Sequence, residues 1–317
     1  MPPLISIITS TYNRSNVLRY AIESVRQQTL TDWELIVVSD AATDDTPDVV
    51  ASFADERIRF VELAHNHGEQ SVPNNIGLSL ARGQFVAFLN HDDLWLPDHL
   101  ECSYNRLLET GADLVFGVGV LIRSATDIGL VGSLPPEGFR PVNFVPASGW
   151  LFRHELVQRV GPWRSYREIW PIPSLDWLMR AYRLTIRFAS SEQITWVAIT
   201  SLVRLRTYED RLDDEQQALF EQIQQGTFRE QFVQQVLLQH HQQQLQYPIR
   251  SLLVQAGRHC LNRLLALSDY RLMPLWFMMK FWRKGGVIHY LRKKRGLHSL
   301  KPITTNKTVS YYERLAT

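Results

Sequence analysis

A chain of 317 residues, with 45% hydrophobic and 21% charged side chains, can bury a large core and exceeds the usual size of one domain. A net charge of +2 gives no global argument for nucleic-acid binding, and two cysteines, Cys102 and Cys260, are too few for a disulfide framework. No run of about 18 apolar residues exists to span a membrane, and Met1-Pro2-Pro3 has neither the basic start nor the cleavage site of a secretory signal, so a cytoplasmic protein is expected.

The first third of the chain alternates between two periodicities. Leu4 to Ile8 reads as a buried strand, after which Leu18, Ala21, Ile22 and Val25 recur at helical spacing. Glu34 to Val38 is a second strand, and Thr46-Pro47 opens a helix through Val49, Val50 and Phe53. Ile58 to Leu63 is a third strand, Ser71 to Ala81 a helix, and the run into Asn90 a fourth strand. Pro97 starts a helix through Leu100, Tyr104 and Leu107, and Leu114 to Ile122 is a fifth strand. Strands separated by single helices imply right-handed crossovers and an α/β, doubly wound, mostly parallel sheet.

Beyond the fifth strand the regularity weakens. Residues 132–148 are rich in Pro and Gly and read as a long loop, with short helices at His154 to Val160 and Leu175 to Tyr182. From about Leu212 a Gln-rich amphipathic helix carries Leu219, Ile223, Phe232, Val236 and Leu237, and a second helix from Pro248 carries Leu252, Leu253, Ala256 and Leu264. The expected division is therefore 1–207, an α/β domain, and 208–317, a helical C-terminal region.

Three loops at strand ends carry the chemistry. The run Phe85-Val86-Ala87-Phe88-Leu89-Asn90-His91-Asp92-Asp93 ends a buried strand on two acids, at the sheet rim where ligands of open α/β sheets sit. Adjacent carboxylates repel, and a hard divalent cation carrying phosphate oxygens would relieve them. After the first strand come Ser10-Thr11-Tyr12-Asn13-Arg14, where Asn13 or Ser15 can cap the next helix and Tyr12 can stack on a base. After the second come Ser39-Asp40-Ala41-Ala42-Thr43-Asp44-Asp45, whose Asp40 can accept from the imide N–H of a base such as uracil.

With Gly83-Gln84-Phe85, these segments resemble the family 2 glycosyltransferases over Leu4 to about Asp98, and with gaps to about residue 205. The resemblance implies a GT-A fold, a nucleotide-diphosphate sugar donor (a UDP-sugar foremost), Mn²⁺ or Mg²⁺, and inversion at the anomeric carbon. Carried over by position, Ser10, Tyr12, Asn13 and Asp40 would serve the nucleoside, and Asp92 and Asp93 the ribose and metal. Ser39 and Asn90 stand where the family often has Asp. Pro73-Asn74-Asn75-Ile76-Gly77 resembles a segment usually reading Ala-Arg-Asn-x-Gly, so Asn75 matches while Asn74 replaces an arginine. Pro173 to Arg180 falls where the family places its catalytic carboxylate. Asp176 is its one acid and the expected general base, with Glu168 a weaker candidate and an N-cap the structural alternative.

The expected acceptor is a hydroxyl on a bacterial-type glycan or a lipid-linked saccharide. Residues 270–297 join Trp276, Phe277, Phe281 and Trp282 to Arg292-Lys293-Lys294-Arg295, a pattern suited either to core packing or to the inner face of a membrane. Two rivals remain at this level. A nucleotidyltransferase would need a Gly-rich loop after the first strand, which Ser10 to Arg14 is not. A non-catalytic sugar-nucleotide-binding protein is the other, made possible by Ser39 and Asn90.

Overall fold

The computed structural model describes residues 2–124, 127–135, 138–141, 143–200, 205–232 and 278–297, with positions 234, 257, 260, 263 and 264 between them. Of the helix expected from Pro248 only residues 257, 260, 263 and 264 are described, and Val236, Leu237, Trp276, Phe277 and the chain beyond residue 297 lie outside the described residues.

The predicted alternation is realised in the first half. β1 (Ile5–Thr11), α1 (Ser15–Arg26), β2 (Trp33–Ser39), α2 (Thr46–Ser52), β3 (Ile58–Glu62), α3 (Ser71–Leu80) and β4 (Phe85–Phe88) follow in order. β3, β2, β1 and β4 are neighbours and all parallel, with Ile8 opposite both Ile36 and Phe88. β1 and β2 are buried nearly throughout, as strands covered by helices on both faces must be. α1 turns Leu18, Ala21, Ile22 and Val25 onto the sheet.

The second half departs from a simple wound sheet. β5 (Asp93–Trp95), α4 (His99–Thr110), β6 (Leu114–Ser124) and β7 (Asp127–Val131) follow, then β8 (Trp150–Arg153), α5 (Leu156–Val160), α6 (Pro173–Arg183) and β9 (Phe188–Ile199). The order is β3-β2-β1-β4-β8-β6-β9-β5, with β7 on β6. β8 is inserted antiparallel between β4 and β6, while β6 and β9 run parallel. The fifth strand read from sequence, β6, is therefore separated from β4 by β8. β8 escaped the sequence reading because it has only four residues and follows a Pro/Gly-rich loop. Its Trp150 stacks between Trp163 and Trp177, ring centroids 5.8 and 5.6 Å away, which anchors that loop to the core.

Gly83 owes its identity to packing. A Cβ there would come within 2.5 Å of the Ser6 backbone nitrogen. The Ser6 hydroxyl accepts from the Gly83 amide and donates to buried Glu34, which in turn pairs with Arg82 at 2.7 Å.

The C-terminal part is helical, with α7 (Thr207–Asp210), α8 (Asp214–Gln224) and α9 (Gly286–Lys294). It does not stand apart at these points. Arg14 donates to the Thr207 carbonyl, Arg211 pairs with Asp44, and the amides of Arg206 and Tyr208 donate to the carbonyls of Lys294 and Arg295. A boundary near residue 207 is thus crossed by hydrogen bonds in both directions.

One buried histidine gives the fold a pH dependence. His99 is fully buried, stacks on Trp95 at 4.4 Å, and shares a 2.9 Å hydrogen bond between Nδ1 and Thr195 Oγ1. Burial pushes its pKa from 6.5 down to about 3. The unfolded chain then takes a proton that the folded one refuses, so stability holds above pH 6.5 and is lost as pH falls from there toward 3. The slope approaches about 1.4 kcal/mol per pH unit. His99→Gln should cost stability at pH 7 but lose less of it between pH 7 and pH 4, a difference that urea melts at several pH values would read. An identical pH profile in parent and variant would remove this role.

Candidate active site

A cavity of about 440 Å³ opens at the C-terminal ends of β1, β2 and β4. β1 is flanked there by β2 and β4, whose crossovers leave in opposite directions, the arrangement that opens a crevice in α/β sheets. Its walls include Ser10, Tyr12, Asp40, Glu69, Asp92 and Asp93. Of the residues assigned from sequence, Asn13, Asn75 and Asp176 are not among its lining.

Asn13 has left-handed backbone (φ 50°) and spends its side chain on the next loop. Its Oδ1 accepts from the Thr43 amide at 2.7 Å and its Nδ2 donates to the Thr43 hydroxyl at 3.1 Å. Neither Asn13 nor Ser15 caps α1 through its own side chain. Asp44 accepts from the Ser15 amide at 3.1 Å and Asp45 from the Ser15 hydroxyl, placing negative charge at the helix N-terminus. Asn75 clamps Trp163, donating to its carbonyl and accepting from its amide, both at 2.9 Å. Both asparagines therefore shape the loops around the cavity.

Asp40 is at the cavity wall but is heavily engaged. Its Oδ1 accepts from the His67 amide and faces His67 Nδ1, each at 2.9 Å, and its Oδ2 accepts from the Gly68 amide at 2.8 Å. A carboxylate has about four acceptor positions, so Asp40 chiefly holds the 66–68 loop in place. Asp40→Asn should cost about 1–3 kcal/mol, because one loop amide loses its partner. Hydrogen exchange at the amides of His67 and Gly68 should speed up together. Unchanged protection there would mean that the loop is held by other contacts.

The two adjacent acids are handled differently by the fold. Asp93 turns inward at the start of β5, where Ser148 Oγ and Asn90 Nδ2 donate to its Oδ2. Burial, then the charge of Asp92, push its carboxyl up to about 8. The donors on Asp93 offset part of the repulsion evident in the sequence. Asp92 remains on the cavity wall, beside His91, whose Nδ1 faces the Ser10 carbonyl at 3.2 Å and whose Nε2 lies 3.4 Å from the Tyr208 hydroxyl. Among the described residues no three His, Cys, Asp or Glu side chains gather into a ready-made metal cage. One cavity carboxylate suits a Mg²⁺-type ion, which usually takes one or two carboxylates and completes its shell with phosphate oxygens and water.

Asp176 sits in the first turn of α6, outside the cavity lining. Its Oδ2 takes Arg180 Nε at 2.9 Å, and Arg164 lies 3.9 Å from its Oδ1. It is Pro173 and Ser174 that α6 presents to the cavity. The expected base thus lies outside the cavity lining, while Pro173 and Ser174, three and two positions before it, reach the cavity.

Several wall residues were not singled out from sequence. Glu69 precedes α3, and its Oε2 accepts from the amide and hydroxyl of Ser71 at 2.8 and 2.7 Å. Burial pushes its carboxyl up to about 7. Tyr208, Leu291, Arg292 and Arg295 come from the C-terminal part. The Arg292–Arg295 run was visible, but as a surface patch. Its spacing of three places Arg292 and Arg295 on one helix face, while Lys293 stays exposed.

Residues 6–160 match the model of a family described as glycosyl transferase family 2. The chain is 36% identical over 129 residues to the putative teichuronic acid biosynthesis glycosyltransferase TuaG of Bacillus subtilis (strain 168), covering 40% of this chain and 51% of that one. It is 32% identical over 126 residues to the UDP-Glc:alpha-D-GlcNAc-diphosphoundecaprenol beta-1,3-glucosyltransferase WfgD of Escherichia coli, covering 40% and 49%. The chain thus spans about half the length of these curated relatives. The crystal structure of S. aureus TarS 1-349 in complex with UDP superposes with a TM-score of 0.54 over 70% of this chain and 69% of that one, at 20% identity, and so shares the fold.

Proposed function

Residues 6–160 belong to glycosyl transferase family 2, and from that premise we propose that the protein is an inverting glycosyltransferase of bacterial cell-surface polysaccharide synthesis. It would move a sugar from a nucleotide-diphosphate donor, a UDP-sugar foremost, to a hydroxyl of a glycan or lipid-linked acceptor. The observation that carries this reading is the cavity itself, which runs from Tyr12 and the Asp40-held loop to Asp92 in a family 2 domain. The solved TarS complex with UDP and the UDP-Glc in the name of the E. coli relative support the choice of donor.

In the proposed arrangement Tyr12 stacks on the base, and the 66–68 loop borders the nucleoside. Asp92 would hold Mn²⁺ or Mg²⁺, whose charge offsets that of the leaving diphosphate. Asp93 braces the loop through Ser148 and Asn90 instead of reaching the donor. The acceptor oxygen attacks the anomeric carbon, the bond from that carbon to the diphosphate oxygen breaks with its electron pair, and a base takes the hydroxyl proton. Of the cavity carboxylates, Asp40 and Asp93 are engaged and Asp92 would hold the metal. Glu69 keeps Oε1 out of any hydrogen bond among the described residues and has a pKa suited to the task. We therefore assign the proton to Glu69.

Membrane contact enters the same proposal in reduced form. Arg292 and Arg295 face the cavity, whereas Met279 and Trp282 are 73% and 87% exposed beside Lys280, Arg283 and Lys284. Among the described residues no helix is long and apolar enough to cross a membrane. Incubation of the full chain with radiolabelled UDP-sugars and Mn²⁺ tests the function. Slow release of UDP without acceptor supports it, and absence of both nucleotide binding and hydrolysis across UDP-, dTDP- and GDP-sugars overturns it.

A further inference from the structure

The cavity is rich in acids. Asp40, Glu69, Asp92 and Asp93 all border it, so an anionic ligand needs cations from somewhere. The candidates on its wall are Arg123, Arg292 and Arg295. Arg123 is committed to Asp127 at 2.8 Å, out on β6 and β7. The other two belong to the last turn of α9 and the residue that follows it. Arg292 is buried, and its Nη1 donates to the Gly68 carbonyl at 2.8 Å, in the loop that Asp40 holds. Arg295 lies on the same helix face and lines the same cavity as Asp92 and His91.

The segment carrying these arginines is built into the wall. Backbone hydrogen bonds tie it at both ends, from Gly285 to the Ile169 carbonyl and from Arg206 and Tyr208 to the carbonyls of Lys294 and Arg295. At Gly285 a Cβ would come within 2.4 Å of the Tyr166 ring, and the backbone there is left-handed (φ 68°), so the entry to α9 is specified. The C-terminal end of a helix carries partial negative charge and would by itself repel phosphate. Arg292 and Arg295 bring positive charge to that end of α9.

We propose that Arg295, steadied by Arg292, is a donor-binding residue that grips the diphosphate, so that the C-terminal helix completes the donor site. This rests on the functional reading above and deepens it. A guanidinium presents a planar fork that matches phosphate oxygens. It also predicts that nucleosides without phosphate do not depend on α9.

The test is titration calorimetry of the full chain with uridine, UMP and UDP in the presence of Mn²⁺. In the parent, affinity should rise with each phosphate. Arg295→Gln should weaken UDP about 10- to 100-fold, the usual effect of losing a charge-assisted hydrogen bond, and leave uridine unchanged. Arg295→Lys, which keeps the charge but loses the fork, should recover part of the UDP affinity. Should the Gln variant fail to fold by circular dichroism, the comparison of parent with Arg295→Lys decides, since the proposal requires a loss confined to UDP and UMP. Equal weakening of uridine and UDP, or no weakening of either, overturns the proposal while leaving the functional reading intact. A parent that binds no nucleotide overturns both.

Discussion

Asp92→Asn should abolish metal-dependent turnover of the donor, lowering it by about 10²–10³-fold or more, the scale on which removal of one electrostatic contact to developing charge is felt. The substitution keeps the shape of the side chain and removes the charge that faces the cavity. Asp93→Asn is its internal control. Asp93 already receives hydrogen bonds from Ser148 and Asn90 and is buried, so an amide at that place keeps most of its partners. Its turnover should stay far closer to that of the parent. Chelation by EDTA should silence the parent and change the Asp92 variant little further. Equal losses in the two variants would mean that both carboxylates reach the metal. An Asp92 variant with parental turnover and parental sensitivity to EDTA would remove Asp92 from the metal site.

The second large effect concerns the proton. Glu69→Gln should keep UDP affinity and lower turnover by about 10²–10⁴-fold, the usual contribution of general acid–base catalysis. Because burial raises the Glu69 carboxyl to about 7, and a base must be deprotonated, parental turnover should climb through pH 7 and level off above it. The Gln variant should lack that limb. Asp176→Asn should instead change turnover only a few-fold and reduce stability by about 3–5 kcal/mol, since its partner Arg180 is largely buried and would lose an ion pair. The opposite pattern, a deep loss with Asp176→Asn and a shallow one with Glu69→Gln, would return the base to α6 and imply that the helix turns when an acceptor arrives.

These predictions differ from the sequence reading at definite places, and the differences have a common physical origin. The parallel half of the sheet was legible because period-two and period-3.6 patterns are local, and β1, β2 and β4 each carry their own burial signal. The loops that end those strands were legible for the same reason. A buried strand must deliver whatever follows it to the sheet rim, so Ser10, Tyr12, Asp40 and Asp92 reach the cavity by chain geometry alone.

The tertiary structure decided what those residues do there. Whether Asp93 is a ligand or a buried brace depends on Ser148, 55 residues away. Whether Asp40 reads a base or holds a loop depends on the amides of His67 and Gly68. The antiparallel insertion of β8 and the inward face of Arg292 and Arg295 arise from packing between segments far apart in the chain. Charge runs and short strands carry no periodic record of their surroundings, because burial, desolvation and hydrogen-bond partners come from elements that the chain brings together only when it folds.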